Sequence, residues 1–167
     1  VRLVGSEMCI RDSPPSPVLK RVREAGDQAA LRQLSHDKSV ADMAINPDMV
    51  KLLWEVCQIP DFRKTLADMH ARLLRTIYHY LAGAGGRLPI DWVAGQMARL
   101  ERVDGDIDTL MAQIAHTRTW TYISHRPEWI DDAADWQART RLLEDRLSDA
   151  LHDRLTQRFV DLSLIHI

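Results

Sequence analysis

The sequence predicts an all-α protein, an irregular multi-helix bundle of about seven or eight helices with a long C-terminal helix. Three observations predict it. Apolar residues recur at steps of three and four, and Pro or Gly punctuates the periodic segments. No stretch shows the Val/Ile alternation or turn spacing of a sheet. Ala, Leu, Arg, Asp and Gln are abundant while Phe, Tyr and β-branched residues are sparse, a composition that favours helix.

Taken in order, Pro14-Pro15-Ser16-Pro17 is a stiff, extended linker. Ser16 and Pro17 then suit the cap and first position of a helix over VLKRVREA, stopped by Gly26. Asp27 is placed to cap a short helix carrying Leu31 and Leu34, and a third short piece covers residues 39–45. Asn46-Pro47 restarts the chain into a buried helix ending at Gln58.

The organising stretch is residues 52–81, where a corner at Ile59-Pro60 leads into a long amphipathic helix. Phe62, Leu66, Met69, Leu73, Ile77 and Tyr80 form its predicted apolar stripe. Arg63, Lys64, Asp68, Arg72 and Arg75 form the polar face, and His70 and His79 read as surface residues. Such a helix is not stable alone in water, so the rest of the chain must cover its stripe.

Gly83-Ala84-Gly85-Gly86 ends that helix, and Arg87-Leu88-Pro89 starts the next. Trp92, Val93, Met97 and Leu100 make its apolar side, and Gly95 suits a close helix crossing. Asp104-Gly105-Asp106 is a turn and cap for a helix bearing Ile107, Leu110, Met111 and Ile114, broken at Pro127. The last helix runs from about Asp132 to Asp161, with Trp136, Thr140, Leu143, Leu147, Leu151, Leu155 and Phe159 in a heptad-like stripe. A stripe of that length requires a long antiparallel neighbour, or a partner from outside the segment.

The chain has 167 residues, a net charge of -2, 46% hydrophobic and 28% charged residues, enough for one globular domain with a core. No apolar run approaches the ~20 residues of a membrane-spanning helix, so no membrane association is expected. Near-neutral charge gives no global field for capturing nucleic acid and leaves only local basic patches.

The termini have a separate origin. MCIRDS, residues 8–13, is encoded by a DNA word whose reverse complement encodes LSLIHI, residues 162–167. That word resembles the transposon end used in sequencing-library preparation, and VRLVGSE resembles its extension. Residues 1–13 and 162–167 are therefore read as adapter-derived and non-native. The native segment is expected to be cut from a longer frame, with Cys57 as its sole cysteine. One cysteine permits no intrachain disulfide and suits a reducing, cytoplasmic setting.

Chemistry-bearing constellations are thin. Gly83-Ala84-Gly85-Gly86-Arg87 trails a helix and lacks Lys-Ser/Thr, so it reads as a C-terminal turn rather than a phosphate cradle. Asp104, Asp106 and Asp108 alternate like a calcium loop, but Thr109 and Ala115 replace its Gly and Glu, which leaves a helix-start role. No HExxH, Cys–His pair or paired-carboxylate motif is present, and no catalytic, cofactor-binding or metal residue is assigned.

The best candidate surface is HTRTWTYISHRPEW, residues 116–129. It interleaves Arg118, His125 and Arg126 with Trp120, Tyr122 and Trp129, as single-stranded RNA binding requires. The favoured reading is plainer: both tryptophans fill core gaps, and the arginines are solvated or paired with Asp131 and Asp132. Likewise Arg139, Arg141, Arg146, Arg154 and Arg158 can pair along the last helix with Glu144, Asp145, Asp149 and Asp153.

WEVCQIPDFRK, LPIDW, DGDIDTL, RTWTYISHRP and LSDALHDRLTQRFVD occur in that order, and together they resemble the C-terminal helical region of mitochondrial-degradosome-type DExH-box RNA helicases, bacterial branch. The resemblance covers residues 40–161, within a helical region spanning 18–161. It implies an ATP-dependent parent with upstream RecA-like motor domains that use ATP and Mg2+. None of their motifs lies here, so no ATP-binding or catalytic residue is carried over, and this segment is expected to be inactive alone. In the family the helical region packs on the motor and helps frame the nucleic-acid path, a role carried onto residues 54–81 and 92–100. The resemblance also implies RNA or single-stranded nucleic acid as partner, and an exoribonuclease among the family's associates. The alternative is a stand-alone all-helical interaction or scaffold domain, suggested by the long last helix. An independent enzyme ranks third, for want of a converging site.

Overall fold

The computed structural model of the chain describes residues 25–63, 67–83 and 85–166. Across them run seven helices and no strand: α1 (Gly26–Ser35), α2 (Lys38–Met43), α3 (Pro47–Cys57), α4 (Ala67–Ala82), α5 (Ile90–Ala98), α6 (Ile107–Ser124) and α7 (Ala133–His166). The fold is all-α with a long C-terminal helix. Residues 1–13, the linker 14–17 and the helix expected over VLKRVREA lie outside the described residues.

Local chemistry sets the helix starts. Ahead of Pro47, the Asn46 side chain accepts the Met49 N–H at 2.9 Å, and Asp106 accepts the Thr109 N–H at 2.8 Å. Asp37 caps α2 through the Ser39 N–H at 2.9 Å. α1 differs from expectation, because it starts at Gly26 behind Ala25 and no side chain caps it. Asp27 lies in the first turn instead, where the helix dipole still favours its charge.

α4 buries a different face from the predicted one. Ala71, Leu74, Ile77, Tyr78 and Leu81 are buried together with His70, whereas Phe62 and Met69 are exposed and Leu73 and Tyr80 only half-buried. Leu66 lies outside the described residues. The face turns because two polar-tipped side chains find backbone acceptors inside. The His70 Nε2 is 3.0 Å from the Ile59 carbonyl oxygen, and the Tyr78 hydroxyl donates to the Met49 carbonyl at 3.1 Å. A satisfied polar tip lets a largely apolar ring enter the core. His70 is thus a buried residue, contrary to its surface reading.

α6 and α7 form the antiparallel pair that the long stripe required. Gln137 donates to the Ser124 carbonyl, Arg118 pairs with Glu144, and Arg154 donates to the Asp104 carbonyl, so the two helices run in opposite directions. Trp136, Thr140, Leu143 and Leu147 are buried between them and Leu151 is half-buried. Leu155 and Phe159 are exposed, as is every described side chain from 152 to 165. Met111 is exposed, while Thr117 and Thr119 are buried; the Thr117 hydroxyl reaches the Gln113 carbonyl at 2.8 Å. Gly95 faces open space rather than a crossing helix.

One continuous core joins the early helices to this pair. The Trp92 ring lies between Tyr80 and Trp120, with centroids at 5.1 and 5.5 Å. The Leu88 N–H donates to the Trp129 carbonyl at 2.8 Å, which pins the entry of α5 to the turn before α7. Among the described residues no helix is long and apolar enough to cross a membrane.

Candidate nucleic-acid interface

The structure divides the candidate surface between core and solvent. Trp120 and Trp129 are 1% and 2% exposed, so protein already occupies both indole faces. Tyr122 is half-buried and packs against the core. His125 is exposed and caps the end of α6, its Nδ1 2.7 Å from the Thr121 carbonyl oxygen. Arg118 bonds Glu144 at 2.9 Å, and Arg126 bonds Glu128 at 2.7 Å and Glu55 at 3.2 Å. The Arg126 guanidinium also lies 4.5 Å from the Trp129 ring centroid. Asp131, expected to pair within this segment, holds Arg87 instead at 3.0 Å.

Elsewhere a hydroxyl and an imidazole meet, unannounced by any sequence motif. Ser39 Oγ is 3.1 Å from His79 Nε2 and 2.6 Å from Asp37 Oδ1, and Asp37 also accepts from Arg75 at 2.8 Å. A nucleophile–base pair needs the hydroxyl hydrogen aimed at the imidazole and a carboxylate orienting the imidazole's far side. Here the carboxylate lies against the hydroxyl, and His79 Nδ1 faces Met43 Sδ at 2.9 Å. The cluster ties α2 to α4. The Asp37 carboxyl is held far below the ordinary carboxylate range by its bonds to Ser39 and then Arg75.

A cleft opens between the Arg63 corner, the end of α5 and the first half of α6. Its volume is about 410 Å3. Arg63, Arg99 and His116 line it, together with the polar Gln96, Thr109 and Gln113, over an apolar floor of Leu100 and Ala112. Among the described residues no carboxylate lines it. Other grooves mix signs: Asp106, Asp108 and Asp161 with Arg154 and Arg158, or Asp37 and Asp68 with Arg72 and Arg75. Gln113 is held across the base of the cleft, its amide nitrogen bonding the Leu100 and Arg102 carbonyls at 3.2 and 2.9 Å.

Electrostatics in the cleft follow from partial burial. Desolvation pulls the Arg63 guanidinium below its ordinary range, with the Asp61 charge opposing. His116 is pushed down to about 4, first by burial, then by the charges of Arg63 and His70, against Asp61. At neutral pH the cleft therefore presents guanidinium charge beside a neutral imidazole with one donor and one acceptor.

The other constellations stay structural. Asp104 pairs with Arg102 while Asp106 caps α6, so the acidic run does not converge on a point. Gly86, at φ 64, turns the chain out of the C-terminal end of α4, where carbonyls rather than N–H groups project; these residues do not fit a phosphate cradle. Cys57 is buried, and desolvation followed by the Asp27 charge pushes its thiol up to about 12, far from a reactive thiolate. Among the described residues no group of three or more His, Cys, Asp or Glu could hold a metal ion. Comparison with protein families, curated proteins and solved structures found no match.

Proposed function

We propose that this chain is the helical accessory region of an ATP-dependent DExH-box RNA helicase, a cytoplasmic non-catalytic module that packs against motor domains and helps frame the path of single-stranded RNA. One observation carries the reading: four of the five blocks that bear the resemblance supply a single core, which the fifth joins at Leu147. WEVCQIPDFRK contributes Val56, Cys57 and Ile59, LPIDW contributes Leu88 and Val93, DGDIDTL contributes Leu110, and RTWTYISHRP contributes Trp120 and Ile123. Residues scattered along the chain thus act as one packing unit, as an accessory module that docks as a body requires. ATP and Mg2+ belong to the motor in this reading, and an exoribonuclease is a partner of the whole enzyme.

A long sequencing read across the locus, made without a transposon step, tests it. The expected result is an upstream frame with Gly-Lys-Thr and DExH motifs, and a frame that departs from LSLIHI after Asp161. A stop codon directly after Ile167 with no motor upstream overturns it. The second reading, a stand-alone helical interaction domain, is favoured by a specific feature, the exposed Leu155, Phe159 and Val160 of α7.

A further inference from the structure

We infer that the cleft between Arg63, Arg99 and His116 binds the phosphodiester backbone of single-stranded nucleic acid, one nucleotide resting over Leu100. The inference deepens the accessory-region reading and rests on it for the choice of RNA.

Charge and shape converge on this ligand. Among the described residues neither Arg63 nor Arg99 has a carboxylate within ion-pair distance, whereas Arg75, Arg87, Arg118 and Arg126 are each paired. A half-buried guanidinium with an open fork is poorly compensated until an anion arrives, and phosphate oxygens match that fork. Asp61 lies 4.0 Å from His70 and is not among the residues that line the cleft, although its charge is felt by Arg63 and His116. Neutral polar groups sit beside the guanidiniums: the Gln96 amide, the Thr109 hydroxyl and the His116 ring. Sugar hydroxyls both donate and accept, so they match both the donors and the acceptors of such groups, whereas the carboxylates of an acidic peptide only accept. The volume of about 410 Å3 falls within the roughly 300–1,000 Å3 of small-molecule sites, which admits a nucleotide but no helix. Since the indoles of residues 120 and 129 are enclosed, backbone contact rather than base stacking dominates, and little sequence preference follows.

The test is fluorescence anisotropy of labelled oligouridylate with the full 167-residue chain, across a salt titration. Wild type should bind at low salt. Arg63→Gln and Arg99→Gln should each weaken binding about tenfold and lower the salt slope by about 0.7. Arg141→Gln, at an exposed position on α7 outside the cleft, should change neither. Circular dichroism checks folding, and Arg99 is exposed, so Arg99→Gln decides the matter if Arg63→Gln fails to fold. No binding by wild type, equal loss with Arg141→Gln, or displacement of RNA by polyglutamate at lower concentration than by oligouridylate each overturns the inference. A locus without a motor would remove the accessory reading and leave this binding result standing, so the two fail separately.

Discussion

Tyr78 reaches from α4 to α3 and donates its hydroxyl hydrogen to the Met49 carbonyl at 3.1 Å, with the residue as a whole fully buried. Burial, then the nearby Cys57, raises the phenol above its ordinary range, so it stays a donor at any physiological pH. Tyr78→Phe keeps the packing and removes one hydrogen bond. Urea denaturation should show a loss of about 0.5–1.5 kcal/mol, and an unchanged midpoint would mean that the bond contributes nothing.

The turned face of α4 is testable with neighbouring leucines. Leu74 is fully buried and Leu73 half-buried, so Leu74→Ala should cost about 2–5 kcal/mol and Leu73→Ala clearly less. The reverse order of the two midpoints would restore the stripe predicted from periodicity.

Arg126 connects α3 to the turn before α7 through Glu55, and covers the Trp129 ring. Arg126→Ala should destabilise by about 1–2 kcal/mol from the lost charged contact and ring packing. Its RNA affinity should match wild type once the protein is folded, because its guanidinium is already engaged. A stable variant that has lost RNA binding would reinstate residues 116–129 as the nucleic-acid surface.

Acid stability should carry a histidine signature. An ordinary histidine titrates near 6.5, whereas folded His116 titrates near 4. As pH falls from about 6.5 to about 4, the unfolded chain takes up a proton that folded His116 refuses. Its contribution is full above this window and declines through it, and His70, also shifted down by burial, acts in the same direction. Glu128 and Asp104, depressed carboxylates with ordinary values of 4.5 and 3.8, begin to matter only at the lower end. Denaturation midpoints of His116→Gln should therefore fall less between pH 6.5 and 4.5 than those of wild type. Parallel profiles would refute the shift.

Features decided locally were legible in the sequence. Asn46-Pro47 and Asp106 cap their helices within a few residues, and Val93, Met97, Leu110 and Leu147 fall where a period of 3.6 puts them. Misreadings arose where a distant partner decides burial. His70 reads as a surface residue and Tyr78 is missing from the predicted stripe because nothing nearby in sequence reveals the Ile59 and Met49 carbonyls that receive them. Thr117 and Thr119 are hidden for a local reason, since a threonine that returns its hydroxyl to its own helix packs like valine. The cleft was invisible for a further reason. Arg63, Arg99 and His116 come from three segments, and no spacing rule links a corner, a helix end and a mid-helix imidazole.

α7 contains 34 residues, about 50 Å of helix, yet the structure buries only its first half. Beyond Leu151 no described side chain is buried, so the backbone ladder and the exposed Arg154 bond to the Asp104 carbonyl hold the helix, and such segments open at low free energy. All five tryptophans, at positions 54, 92, 120, 129 and 136, lie in the packed body. On heating, far-ultraviolet ellipticity should therefore begin to decline well before indole emission shifts. The chain would melt as two thermodynamic units inside one continuous helix, with the boundary near residue 151. Superimposable curves from the two probes would instead mean that the outer half is bound by something other than itself.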